Sequence, residues 1–348
     1  MVYITLTDLC ARKSTRSIVP LVLASLIGLS APSAVRAQTA ALEIERTIPL
    51  KGVSGRIDHM AIDLRRRRLF VAELGNGTVD VIDIAAGAVV RRIGGFKEPQ
   101  GVGYAPGADA LAVANAGDGS VHLFRGGGLH PAGTVNLGDD ADNVRLDPGS
   151  GNFIVGYGRG GLATIDPAKA TLVSRVPINE HPEGFQLDPN KRRAFVNVPD
   201  AHQIAVVDMN ADRQFGIWKM PDDFRSNFPM ALDAAHGTDA VVFRNPPRLV
   251  IFNINTGRPT GTFAACGDAD DVSFDAKRYR IYVSCGDGSV DAWQQDGSGY
   301  RRLSSVKTAA GARTSLFVPN LDRLYVAARA GFFGLGSDAA ILVLRPLD

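Results

Sequence analysis

The chain has 348 residues, 45% hydrophobic and 21% charged, with 38 Lys and Arg against 36 Asp and Glu and a formal net charge of +2. A balance this even argues against a nucleic-acid partner, and the mixed composition excludes fibrous and disordered classes. With 38 Gly and 19 Pro spread along it, the sequence reads as many short strands separated by turns.

At the start, Arg12, Lys13 and Arg16 precede the apolar run Ile18 to Leu29, and small residues follow up to Ala37. A basic beginning, a short apolar core and a small-residue cleavage site predict a secretory signal peptide over 1–37, cut after Ala37. The apolar run is shorter than the roughly 20 residues a membrane span needs, so no integral span is expected in the mature chain. No Cys follows the small residues, so no lipid anchor is expected. These features place the protein in the periplasm or outside the cell, with residues 38–348 as one domain.

Leu42 to Leu50 alternates as a strand does. A repeat then begins. His59 to Ile93 reads as strand, basic turn, strand, Gly-Asn-Gly turn, strand, Ala-Ala-Gly turn, strand. Four strands in about 40 residues is the blade of a β-propeller. Aligning the copies on the position five residues before a recurring Asp gives Asp58, Gln100, Asp142, Glu183, Phe228, Asp270 and Arg313, at intervals of 42, 42, 41, 45, 42 and 43. In each copy the second strand is the most apolar, as expected for strands buried on both faces. Trp218, Trp293 and most Phe residues are therefore expected between blades.

In the sixth copy Cys266 precedes one strand and Cys285 ends the next, so both fall at one end of a hairpin. In an exported protein this pair predicts a disulfide, worth about 3 kcal/mol in the chain-entropy model. The seventh copy stops after three strands, and Leu42–Leu50 is the spare fourth. The prediction is an all-β fold: a seven-bladed β-propeller of four-stranded blades, closed by the N-terminal strand completing the last blade.

The segments Phe70–Asp83, Leu111–Phe124, Phe195–Asp208 and Ile281–Trp293 resemble the repeat of the YVTN-repeat propellers, the YncE-like group. The resemblance covers essentially all of the chain from Leu42 onward. It implies an exported seven-bladed protein and says little about activity.

First strands of propeller blades lie against the central axis, so the aligned positions should converge on one channel mouth. This predicts a binding site of Asp58, Gln100, Asp142, Glu183, Asp270 and Arg313, with their neighbours His59, Asn143 and Asp271 and with Phe228 on the rim. Second-strand ends, Glu73, Asn115, Tyr157, Asn197, Arg244 and Arg329, should join them. One reading is a pocket for a small molecule, peptide or protein, with the Arg313 fork gripping an anion. Another is a calcium site, since converging carboxylates suit a hard cation. For this second reading, Glu183-Gly184-Phe185-Gln186-Leu187-Asp188 is similar to the first-strand motif of gluconolactonase-type propellers. That likeness implies Asp142, Glu183 and Asp270 as metal ligands and a metal-bound water attacking a lactone or ester. The third reading is a merely wet, polar mouth. No nucleophile elbow, Cys-His pair, phosphate loop or HExxH motif is present, so no catalytic residue is assigned and no cofactor beyond calcium is suggested.

The first turns carry Arg65 to Arg68, Lys191 to Arg193, Lys277, Arg278 and Arg323. They form either solvated hairpin ends or a docking face for an anionic polymer. Nothing in the sequence points to oligomerisation, and a monomer is expected.

Overall fold

An aspartate ends the first strand or directly follows it in five of the repeats, and its carboxylate shapes the turn there. Asp63 accepts the backbone N–H of Arg66, Asp147 that of Gly149, Asp188 that of Asn190, Asp233 that of His236 and Asp275 that of Lys277. A second acceptor ends the third strand: Asp83, Asp166, Asp208 and Asn253 bond the N–H groups of Ala86, Ala168, Asn210 and Asn255. These side chains mimic a turn's own backbone hydrogen bond, which is why Asp and Asn recur at both corners of a blade.

The computed structural model describes residues 40–297, 299–331 and 338–348; the signal peptide expected over 1–37 lies outside them. Its 28 strands form seven antiparallel sheets of four. Six sheets take four consecutive strands. The seventh takes Ser315–Val318, Arg323–Ala328 and Ala339–Pro346, and its outermost strand is Leu42–Leu50. Leu42 faces Pro346 and Leu50 faces Ala339 across that pairing, so the ring has no open seam.

Second strands are the most buried, as in Ala110–Asn115 and Arg280–Cys285, where every residue is buried. The core is a series of layers between neighbouring blades. Trp218 lies 4.8 Å from the Phe195 ring of its own blade and 6.1 Å from Phe252 of the fifth. Trp293 fills the equivalent layer with Val242, Leu249 and Val283. Each such aliphatic or aromatic side chain contributes about 1.5–3 kcal/mol by leaving water.

Cys266 and Cys285 form a disulfide. Among the described residues no helix is long and apolar enough to cross a membrane. The basic turns are not a free cationic face. Arg66 forks onto Asp109 of the next blade at 2.7 Å, Arg278 holds Asp322 at 2.6 Å, and Arg192 holds Asp147 at 2.6 Å. Arg193 pairs within its own blade with Asp188, and Arg323 with Glu45. Much of the positive charge is thus spent joining blades and strands.

Candidate functional site

The first strands approach one another closely at one end of the ring. The N–H of His59 donates to the carbonyl of Gln100 at 3.2 Å, and that of Gly184 to the carbonyl of Phe228 at 3.2 Å, each bond running between neighbouring blades. Two glycines allow this approach. A Cβ on Gly101 would stand 1.8 Å from the Asp142 carbonyl, and one on Gly184 would stand 2.5 Å from that of Phe228. Backbone contact of this kind leaves no room for a side chain.

The result is a polar cavity of about 40 Å³ lined by Asp58, His59, Asp142, Asn143, Glu183 and Phe228, with Asp270 and Asp271. That is room for a few waters or one small charged head. Arg56, Arg145 and Gln186 also line it; none of the three stands at a ring position or beside one in the repeat. Below it lies a second cavity of about 290 Å³ between the first strands, walled by Ile62, Val102, Leu146, Leu316 and Phe317.

The remaining ring residues stand behind this lining. Gln100 is half-buried, and its Oε1 accepts a hydrogen bond from Arg56 at 3.1 Å. Arg313 does not offer an open fork to an anion. Its guanidinium is engaged by Asp268 at 2.8 Å and by Asp270 at 3.1 Å. Arg244 pairs with the same two carboxylates and lies 3.9 Å over the Phe228 ring. The ends of the second strands divide. Glu73 is buried and takes the hydroxyl of Thr78, while Asn115 donates to Ser120 within its own blade. Asn197 donates to the Phe228 carbonyl. Glu73, Asn115 and Asn197 stabilise the rim from behind and do not line the cavity.

Charge at the mouth is unevenly answered. Asp58, 1% exposed, pairs with Arg56 at 2.7 Å. Burial alone would raise Asp270, but Arg313, Arg244, His59 and Arg56 outweigh it and hold its carboxyl below the usual range. Asp271 accepts the Ser315 N–H at 2.7 Å, yet burial and the Asp270 charge push it well up.

Asp142 and Glu183 differ from Asp58 and Asp270. Neither has an Arg or Lys within ion-pair distance among the described residues. Asp142 is 6% exposed and its Oδ1 receives no hydrogen bond; the Oδ1 of Asn143, 2% exposed, is equally unpartnered. The nearest basic group is His59, whose Nε2 is 3.9 Å from Asp142 Oδ1. Burial, with the charge of Glu183 and Asp58 against that of His59, pushes Asp142 up to about 7. Burial and Asp270 push Glu183 up to about 7, against Arg244 and Arg56. Carboxylates kept from water without a counter-charge take up protons in this way.

The carboxylates do not form a ready metal cage. Among the described residues, the one group of at least three His, Cys, Asp or Glu with ligand atoms mutually within 4.8 Å is Cys266, Cys285 and Asp287. Two of those atoms are disulfide sulfurs, which have no thiolate to offer. Asp142, Glu183 and Asp270 are too widely set to meet that spacing.

No protein-family model matches the sequence, and no curated protein matches it. Among solved structures, the chain is similar to one from Kuenenia stuttgartiensis hydrazine synthase, with a TM-score of 0.71 and 14% identity over 85% of this chain and 98% of that one. It is similar as well to a chain of the mitotic checkpoint complex, with a TM-score of 0.74 and 14% identity over 96% and 99% of the two chains. At such identity the likeness shows the propeller fold alone.

Proposed function

We propose that this protein is an exported binding propeller of the YVTN-repeat type, and that its ligand is held at the channel mouth by a positively charged group between Asp142 and Glu183. The observation that carries this reading is the unanswered Asp142 carboxylate. It is buried, one of its oxygens has no partner, and Arg56, Arg244 and Arg313 are committed to Asp58, Asp268 or Asp270. A buried carboxylate without a partner costs several kcal/mol if ionised, and a cation arriving from outside removes that cost. The cavity size suits a single ammonium or guanidinium head. Export is supported by the N-terminal pattern of charge and hydropathy and by the Cys266–Cys285 disulfide.

A calcium-dependent lactonase or esterase would call on the same carboxylates. The spacing of Asp142, Glu183 and Asp270 does not suit a preformed calcium cage, which draws six to eight oxygens to within about 2.6 Å of the ion. The cationic ligand is therefore the better reading. Titration calorimetry with hexylamine and methylguanidine tests it. Binding that weakens about tenfold or more in Asp142→Asn and in Glu183→Gln is expected, as for a charge-assisted contact. A thermal shift on calcium reversed by EDTA, with no binding of either amine, would replace this reading by the metal one.

A further inference from the structure

Arg145 sits where the two channel cavities meet. It belongs to the strand Ala141–Leu146, the innermost of the third blade. Together with His59, Gln186, Asp271 and Val272 it lines both the acidic mouth and the larger cavity beneath. Its guanidinium lies over the Phe185 ring, 5.6 Å from the centroid, and Phe185 is itself fully buried. One Nη1 hydrogen bond reaches the Val144 carbonyl at 3.1 Å. Among the described residues no carboxylate comes within ion-pair distance of it.

Other arginines at the channel mouth and in the blade turns are matched. Arg56, Arg66, Arg192, Arg244, Arg278 and Arg313 each hold a carboxylate. Arg145 has five N–H groups, one of them used within the protein, and its remaining exposure is to the channel. A guanidinium in that state is a fork waiting for a planar anion. Asp271 and Asp142 are near enough to feel its charge without pairing with it. The wall around the lower cavity is mixed: Ile62, Val102, Leu146, Leu316 and Phe317 alternate with the polar Tyr104, Gln186, Ser273 and Ser315. Its volume of about 290 Å³ falls at the small end of ligand pockets, which start at roughly 300 Å³.

We infer that Arg145 is the anion-binding residue of the channel, and that the ligand is a small zwitterion whose carboxylate reaches Arg145 while its ammonium stays at Asp142 and Glu183. The ammonium half rests on the function proposed above; the anion half stands on Arg145 alone. The ligand class is an amino acid or amino-acid-like molecule, since both an anion-binding fork and unanswered carboxylates face the same channel. A molecule with only one of the two charges would leave either the guanidinium or the carboxylates unanswered.

Titration calorimetry on the mature protein with ε-aminocaproate, hexylamine and caproate tests this. Wild type should bind ε-aminocaproate about tenfold or more tighter than either single-charge probe. Arg145→Met should bring ε-aminocaproate down to the level that hexylamine reaches in the same variant. Arg145→Lys keeps the charge but loses the fork, and should weaken ε-aminocaproate about three- to tenfold; if the Met variant fails to give a cooperative melt, the Lys variant decides alone. Unchanged ε-aminocaproate affinity in the folded variant would overturn the inference, as would a wild type that does not prefer the zwitterion to hexylamine. Caproate binding that depends on Arg145, with no hexylamine binding, would keep the anion site and sink the ammonium reading instead.

Discussion

Arg192 of the fourth blade places one guanidinium nitrogen 2.8 Å and 2.6 Å from the two carboxylate oxygens of Asp147 in the third. Asp147 is also the residue that caps its own first turn through Gly149 and Ser150. One side chain therefore shapes a hairpin corner and ties it to the neighbouring blade. The Arg66–Asp109 and Arg278–Asp322 pairs also join neighbouring blades, with the turn caps there held by Asp63 and Asp275.

Arg192→Met should destabilise the protein by about 1–2 kcal/mol, because Asp147 is 3% exposed and would keep its charge without its cation. Lys191→Ala, which loses an exposed bond to Asn255, should change stability by less than about 0.5 kcal/mol. Chemical denaturation of both variants checks the contrast; equal losses would show that the cross-blade pair does not matter.

Uptake of a cationic ligand should strengthen as pH rises. Asp142 and Glu183 are each pushed up to about 7, so at pH 6 they hold protons that a ligand must displace, and at pH 8 they do not. Hexylamine affinity should climb through this window and then level off, with proton release visible as a buffer-dependent heat. Asp142→Asn should flatten the climb. A pH-independent affinity would count against these carboxylates as the site.

Asp239 bears on stability alone. It stands where the other blades carry Leu69, Leu111 or Ile281, it is fully buried, and neither carboxylate oxygen has a partner. Burial pushes it up to about 8. The unfolded chain gives up this proton near the ordinary value of 3.8, while the folded chain keeps it until about 8. Stability is therefore fullest below the lower value and falls as pH rises between the two. Asp239→Leu should gain about 1–3 kcal/mol near neutrality and remove that decline. Melting curves from pH 4 to pH 9 would show it; a variant that melts lower throughout would refute the account.

The disulfide should hold the rim as well as the fold. Cys266 is two residues from Asp268, the carboxylate that anchors both Arg244 and Arg313. Replacing both cysteines by serine should cost about 2–3 kcal/mol and weaken amine binding at the mouth. On a chain that starts at Gln38, and so lacks Cys10, iodoacetamide should add two labels only after reduction. Labelling before reduction would contradict the bond.

The blades were legible because their corners are chemical. Asp63, Asp147, Asp188, Asp233 and Asp275 recur at one spacing since each must cap the same turn. Convergence of Asp58, Asp142, Glu183 and Asp270 follows from that register, because residues at one place in each first strand meet at one end of the axis. Their partners were not legible. Asp268 shares its place with Glu98 and Asp140, so its acidity alone does not mark it as a partner of two arginines, while Arg56 and Arg145 each occur at their place in one blade only. Arg313 looked like an open fork because the sequence does not show that Asp268, in the preceding blade, reaches it. Asp239 was hidden within an apolar strand, where a single polar letter gives no sign of its surroundings.

The pairing of Leu42–Leu50 with Ala339–Pro346 has a consequence for how the molecule is made. The last blade is built from segments at opposite ends of the described chain, so the contact that seals the ring is also the most distant in sequence. A polypeptide released before Ala339 would carry six finished blades and a seventh with a bare strand edge, open to proteases and to other chains. Only a chain read through to that last strand can hide its edges. The closure therefore works as a check on length, made by the fold itself before any ligand is met.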